Sequence, residues 1–239
     1  MLVRFAALIF GSLVLLSGCS SGRAYPTNRD DDGYDLKAMA LTEADIPAGM
    51  AAIGGVKLDN QQWAQTFNPI DKADFDARVN QLDAQGRVWG FVTQYAWFEP
   101  NAKNLRDTIL PHLGRPHLFT VQSTLFTEQQ LAVASTKGLC GIQAEEKDPS
   151  EEFKVPRIGD QSAGFVMMGK LGDFGILVET TVCFRTGRIV HAVTQQGLDG
   201  TQDIELSVRL AERMLRRVND AFDGKAAKET PAAEKKKAG

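Results

Sequence analysis

The sequence predicts an α+β domain: a mostly antiparallel sheet that ends in a three-strand meander and is packed by several helices, the last of them long and amphipathic. Three observations predict it. Residues 162–171, 174–185 and 188–197 read as strands in series, joined by the hairpin connections Leu171-Gly172-Asp173-Phe174 and Arg185-Thr186-Gly187-Arg188. Residues 202–222 set Ile204, Val208, Ala211, Leu215, Val218 and Phe222 at alternating steps of four and three, the period of a helix with one apolar stripe. Upstream, shorter helical patterns are interleaved with two further strand patterns, so the helices have a sheet to cover.

The elements follow in order. LTEADIPAGM (41–50) is an entry turn punctuated by Pro47 and Gly49. Residues 71–85 form a short amphipathic helix through Phe75, Val79 and Leu82, stopped by Gly86. GRVWGFVTQYAWF (86–98) is a strand rich in β-branched and aromatic residues. Residues 101–110 read as a helix capped by Asn101 and ended by Pro111, and LFTVQSTLF (118–126) as a strand. Thr127 and Gln130 form a capping box that opens a helix running to Lys137, with Gly138 closing it. Residues 139–155 are polar and read as loop. On the last helix, Glu205–Arg209 and Glu212–Arg216 are spaced to pair on the wet face. There is one internal echo: GRVWGFVTQ (86–94) and GRIVHAVTQ (187–195) match at Gly, Arg, Val, Thr and Gln. It fits either a duplicated unit or the common pattern of two amphipathic strands.

The chain of 239 residues is 43% apolar and 24% charged, which excludes a wholly disordered, collagen-like or polytopic membrane protein. A formal net charge of −3 leaves no basic footprint for nucleic acid, so none is expected as a partner. The charge is unevenly placed. Residues 20–35 carry Arg23 and Arg29 against four aspartates, and residues 223–239 carry five lysines against Asp223, Glu229 and Glu234. Composition therefore divides the chain into a signal peptide (1–18), a flexible linker (19–37), one domain (38–222) and a disordered tail rich in Lys and Ala (223–239).

At the N-terminus, Arg4 precedes an apolar run from Phe5 to Leu16, too short to span a bilayer but suited to the hydrophobic region of a signal peptide. Leu16-Ser17-Gly18-Cys19 follows. This resembles the lipobox of bacterial lipoproteins. The resemblance implies cleavage before Cys19, a diacylglyceryl group on its sulfur and an acyl chain on the new amine, which together hold a protein stably on a membrane. It also implies the bacterial cell envelope as location. In an organism with two membranes, Ser20 in place of Asp directs the protein to the outer membrane, facing the periplasm. With one membrane, the outer face of the cell membrane is expected. With Cys19 lipidated, Cys140 and Cys183 remain, and an exported protein most simply pairs them. The loop would hold 44 residues and contribute about 4 kcal/mol on the chain-entropy account. Two buried free thiols are the alternative.

Candidate chemistry is sparse. Asn28-x-Asp30-x-Asp32-Gly33 has the first half of a calcium loop, but Met39 stands where the closing acid belongs, and an acidic linker explains it as well. Gly159-Asp160-Gln161-Ser162-Ala163-Gly164 has a faint serine-hydrolase look without GxSxG and reads as a turn into a strand. Pro111-His112-Leu113 and Pro116-His117-Leu118 repeat a tripeptide without a zinc spacing, and His191 falls within a strand. Trp63, Trp89 and Trp97 are candidates to line a groove or the core; Trp89 and Trp97, eight apart, share a strand face. There is no phosphate-binding glycine loop. No catalytic residue, metal or cofactor is expected, and no ligand-binding residue is assigned.

Across LTEADIPAGM, VPRIGDQSAGF, CFRTGRIVHAVTQ and the LAERMLRRV helix, the chain resembles a loose set of bacterial envelope lipoproteins without assigned activity, some with a PsbP-like α/β sandwich. The resemblance implies a binding or assembly module and carries no catalytic residue across. The expectation is a membrane-anchored, non-enzymatic envelope lipoprotein that binds a small ligand or an envelope protein. An exported hydrolase with an unrecognised site, or a structural envelope component, is the alternative.

Overall fold

The structure is a computed structural model that describes residues 23–67, 72–97, 112, 114–137, 150–170 and 175–225. Its centre is a seven-stranded antiparallel sheet built from β1 (Met50–Leu58), β2 (Arg87–Trp97), β3 (Leu118–Phe126), β4 (Ser150–Phe153), β5 (Gln161–Lys170), β6 (Ile176–Thr186) and β7 (Ile189–Leu198). The spatial order is β1-β2-β3-β7-β6-β5-β4. Two meanders, β1-β2-β3 and β4-β5-β6-β7, meet where β7 pairs with β3. The predicted meander is the second of these. Thr186 pairs with Ile189, so Gly187 and Arg188 make a two-residue turn. Gly187 sits at φ +60°, and a Cβ there would come within 2.8 Å of the Pro26 carbonyl oxygen, so glycine is required twice over.

Helices cover both faces. On one face lie α1 (Leu36–Met39) and α5 (Ile204–Phe222). They pack on Phe91, Tyr95, Phe119, Val121, Val182, Phe184, Ile189 and Val193, which form the main core. On the other face, α2 (Asn60–Phe67) and α3 (Lys72–Ala84) cover β1 and β2, while α4 (Gln129–Lys137) covers β3 and β5–β7. Strand alternation explains the division, because successive side chains of a strand point to opposite faces. Thus Val121 and Leu125 enter the main core, while Phe126 faces α4. The second face holds two separate apolar clusters: Leu58, Trp63, Ala64, Leu82 and Val92 under α2 and α3, and Phe126, Ala132, Phe165, Cys183, Val190 and Ala192 under α4.

Helix α5 begins at Asp203, whose side chain accepts the Leu206 N–H at 2.8 Å, and buries Ser207, Leu210, Ala211, Met214, Val218 and Phe222. The stripe is rotated relative to the sequence reading: Ile204 is exposed, Val208 and Leu215 are only partly buried, and Leu210 and Met214 take the centre. Of the two expected charge pairs, Glu205–Arg209 forms at 3.5 Å. Arg213 and Arg217 instead reach across to Asp45, which fixes the helix to the turn before β1.

Three differences from the sequence reading matter. First, residues 23–37, assigned by composition to the flexible linker, are folded onto the domain. Tyr34 and Leu36 are fully buried in the main core, the Tyr25 ring packs on Phe222 in a tilted arrangement at 5.6 Å, and Asp31 pairs with Arg188 at 2.9 Å. A few aromatic and aliphatic residues are enough to dock a mostly polar segment. Second, β1 and α2 occupy residues for which no element was expected, and β4 lies within the predicted loop. Both strands are sheet edges, where a clean apolar alternation is not demanded. Third, the internal echo is not a repeat of packing. Val92 and Ala192 both align with Gln122, so equivalent echo residues fall one position out of step on strands either side of β3. Val92 therefore sits in the α2–α3 cluster and Val193 in the main core, on opposite faces. The predicted signal peptide, Cys19, helix 101–110, Cys140 and residues 226–239 lie outside the described residues.

Candidate functional site

The central strand β3 carries an unusual set of side chains on its α4 side. From Leu118 to Phe126 the positions facing that side are Leu118, Thr120, Gln122, Thr124 and Phe126, so three polar residues stand between two apolar ends. They align with polar residues on both neighbours. Gln94, Thr120, Thr194 and Thr181 form one row across β2, β3, β7 and β6. Gln94 donates to the Thr120 hydroxyl at 3.3 Å, and the Thr181 and Thr194 hydroxyls share a hydrogen bond of 2.9 Å. In the next row Gln196 donates to Glu179. Gln122 donates to the Thr124 hydroxyl at 2.9 Å. Gln122, Thr124, Thr181 and Thr194 are all buried. The result is a polar furrow along the sheet, between the apolar cluster under α2–α3 and the one under α4.

At one end the furrow opens into a small open cleft. Its floor is Arg87, Gln122, Thr124 and Phe126; Leu82 of α3, Gln85 in the turn after it, Trp63 of α2 and Ser135 of α4 complete it. The wall geometry follows from Gly86, which ends α3 at φ +71°; a Cβ there would meet Leu131 at 2.3 Å and Thr127 at 2.7 Å. That close approach lets α3 turn directly into β2 beside the start of α4.

Among the described residues Arg87 is the one charged residue lining the cleft. It is 6% exposed. It donates to Asn60 Oδ1 at 2.6 Å and to the Leu58 carbonyl at 3.1 Å, and its guanidinium lies 4.4 Å from the Trp63 ring centre. Its Nε–H has no partner. Burial pushes the guanidinium down to about 10, with the field of Asp59 opposing and that of Arg78 adding to the effect. It remains a cation at neutral pH. Arg78, one helical turn before Leu82, is likewise buried, donates to Gln81 at 3.0 Å and has an unpartnered Nε.

The structure places the other candidates apart from this cleft. Trp63 lines it, while Trp89 and Trp97 pack at the margin of the main core on the opposite face, sharing a strand face as their spacing requires. His112 stacks on Trp97 at 4.7 Å, and Arg115 lies 3.7 Å from the same ring. His117 is half-buried, and desolvation lowers its pKa. Among the described residues no group of three or more His, Cys, Asp or Glu could hold a metal ion. In the calcium-like segment it is Asp31, outside the alternating set, that is engaged, by Arg188.

His191 is fully buried. Its Nδ1 hydrogen-bonds Ser123 at 2.8 Å, its Nε2 hydrogen-bonds Thr186 at 2.9 Å, and its ring stacks on Phe184 at 4.7 Å. Burial pushes its pKa down to about 3, so it is a neutral core residue with both nitrogens satisfied. In the hydrolase-like segment, Ser162 donates to the Pro156 carbonyl at 2.8 Å, and Phe184 is the sheet neighbour of both Ser162 and His191. Asp160 serves the hairpin, accepting from Arg185 at 3.0 Å and from the Gly187 N–H at 2.7 Å. Cys183 is fully buried under α4; its expected partner lies outside the described residues.

Sequence reasoning missed Arg87, Gln85, Gln122, Thr124 and Ser135. One signal was present: Thr-x-Gln-x-Thr in alternation within an otherwise apolar strand, which marks a polar strip on a face that helices cover.

No protein-family model matches the chain, and no curated protein matches it. Among solved structures it is similar to the extracellular domain of PknH from Mycobacterium tuberculosis, with a TM-score of 0.48 and 10% identity, over 77% of this chain and 95% of that one. Among the described residues no helix is long and apolar enough to cross a membrane.

Proposed function

We propose that the protein is a lipid-anchored, non-enzymatic module of the bacterial cell envelope that binds a small polar ligand in the furrow over β3. One observation carries the binding reading: the polar row of half-buried Thr120 and buried Gln122 and Thr124 divides two apolar clusters and opens into the Arg87 cleft. Buried hydroxyls and amides are costly unless hydrogen-bonded; these pair with one another, and the few polar groups they place at an apolar-walled cleft are what a ligand site needs. The anchor rests on Leu16-Ser17-Gly18-Cys19. Because Arg23 is already part of the fold, three residues separate Cys19 from the domain, and lipid on Cys19 would hold the furrow close to a membrane surface. A bond between Cys140 and Cys183 belongs to the same proposal, since export removes the reducing environment.

Mass spectrometry of the mature chain, extracted from its membrane and sprayed under native conditions, tests this. The expected result is an acylated Cys19 at the N-terminus together with a bound small molecule. An unmodified N-terminus with the signal segment retained would refute the anchor. A ligand-free chain whose Thr124 and Gln122 amide signals ignore envelope extract would refute the binding reading.

A further inference from the structure

The cleft's chemistry narrows the ligand. Four arginines of the described chain are buried, and they fall into two kinds. Arg185 and Arg188 each have a carboxylate, Asp160 at 3.0 Å and Asp31 at 2.9 Å. Arg78 and Arg87 have none within ion-pair distance among the described residues, and the charge of Arg78 acts on Arg87 in the same direction as burial. The nearest acids act at one remove. Asp83 is exposed and reaches Arg87 only through Asn60, which donates to it at 2.6 Å, and Asp59 is also exposed. A buried cation with no carboxylate in contact is costly. A bound anion offsets that cost.

The rest of the cleft agrees. Among the described residues no carboxylate lines it. The Thr124 hydroxyl accepts from Gln122 Nε2, so its own proton is available for an acceptor. Gln85 and Ser135 add an amide and a hydroxyl. Arg87 is also held in place before any ligand arrives. Asn60 and the Leu58 carbonyl hold its terminal nitrogens, Trp63 stacks on it, and the absent side chain of Gly90 makes room, since a Cβ there would lie 2.9 Å from Arg87 Nη2. A guanidinium fixed in this way presents its remaining N–H at low entropic cost. Arg78 and Leu82 are four apart on α3, which puts Arg78 on the same helix face as a cleft residue.

We propose that the Arg87 end of the furrow is an oxyanion subsite that takes the carboxylate or phosphoryl head of the ligand, with the polar row of β3 receiving the uncharged part. This rests on the binding reading above and adds the charge of the ligand to it.

The experiment is a titration of the mature chain with inorganic phosphate and, separately, acetate, followed by the ¹⁵N resonance of Arg87 Nε–H. We expect that resonance to move saturably with at least one of the two anions, and which one moves it distinguishes a phosphoryl from a carboxylate head. Ser135→Glu, a helix-compatible change that places a carboxylate at the mouth, is expected to weaken the anion about tenfold or more; Ser135→Gln retains it. An Arg87 signal that ignores both anions while a neutral extract component shifts Thr124 overturns the oxyanion subsite and leaves the binding reading standing. Silence from both anions and extract overturns both. Equal responses in wild type and Ser135→Glu mark unspecific salt and also overturn the subsite.

Discussion

Arg23 Nη2 lies 2.5 Å from Asp223 Oδ1 and so joins the first described residue to the turn that follows the last helix. Close beside it, the Tyr25 hydroxyl donates to Asn219 at 3.0 Å, and Tyr25 and Tyr34 flank Phe222. Arg23 holds the Asp223 carboxyl below its ordinary pKa. The N-terminal segment is therefore a strap across the end of α5. The strap sets where any anchor at Cys19 leaves the domain.

If residues 23–37 are part of the fold, then Tyr34→Ala removes a fully buried ring that also donates to the Pro26 carbonyl at 3.1 Å. The expected loss is about 3 kcal/mol. Urea unfolding measures it; a loss near zero would restore the linker.

Cys19→Ala is expected to abolish acylation and to move the chain from the detergent phase to the aqueous phase on phase separation. An unchanged detergent fraction would show that something other than this cysteine holds the protein on the membrane.

Cys140→Ser is expected to lower stability by about 2–4 kcal/mol under oxidising conditions and to leave it unchanged in reductant. The comparison of the two media separates a lost cross-link from a lost buried side chain, because a packing defect would appear in both.

His191 sets part of the acid sensitivity. Its pKa in the fold is about 3, below the ordinary value of about 6.5. The unfolded chain therefore takes up the proton first as pH falls. Full stability is present above about pH 6.5, and each unit below it costs about 1.4 kcal/mol until the folded group titrates. Between pH 6 and 5, His191→Gln is expected to flatten the stability curve by one proton, whatever its effect on absolute stability. Parallel curves for variant and wild type would contradict a neutral buried imidazole.

Much of the architecture was legible along the chain. Turn glycines between alternating strands marked the second meander, because a hairpin is a local structure and its chemistry is written in adjacent residues. Strand Leu118–Phe126 and the helix from Ile204 were legible for the same reason: periodicity records which side is buried. Edge strands β1 and β4 were not. Six consecutive exposed residues of β1, including Ile53 and Val56, and the SEEF run of β4 carry no burial pattern to read.

By itself, the sequence determined the fold class, the meander and the terminal helix, all of which depend on residues close together in the chain. Only the tertiary structure decided three things. It placed β7 beside β3, which aligned Gln94, Thr120, Thr194 and Thr181 into one polar row. It docked Tyr25 and Tyr34 against a helix nearly two hundred residues away. It also left Arg87 buried without a carboxylate among the described residues while giving Arg185 and Arg188 theirs. The physical reason is common to all three. Pairing across a sheet and the compensation of a buried charge depend on distances in space, and residues far apart in sequence carry no local trace of them.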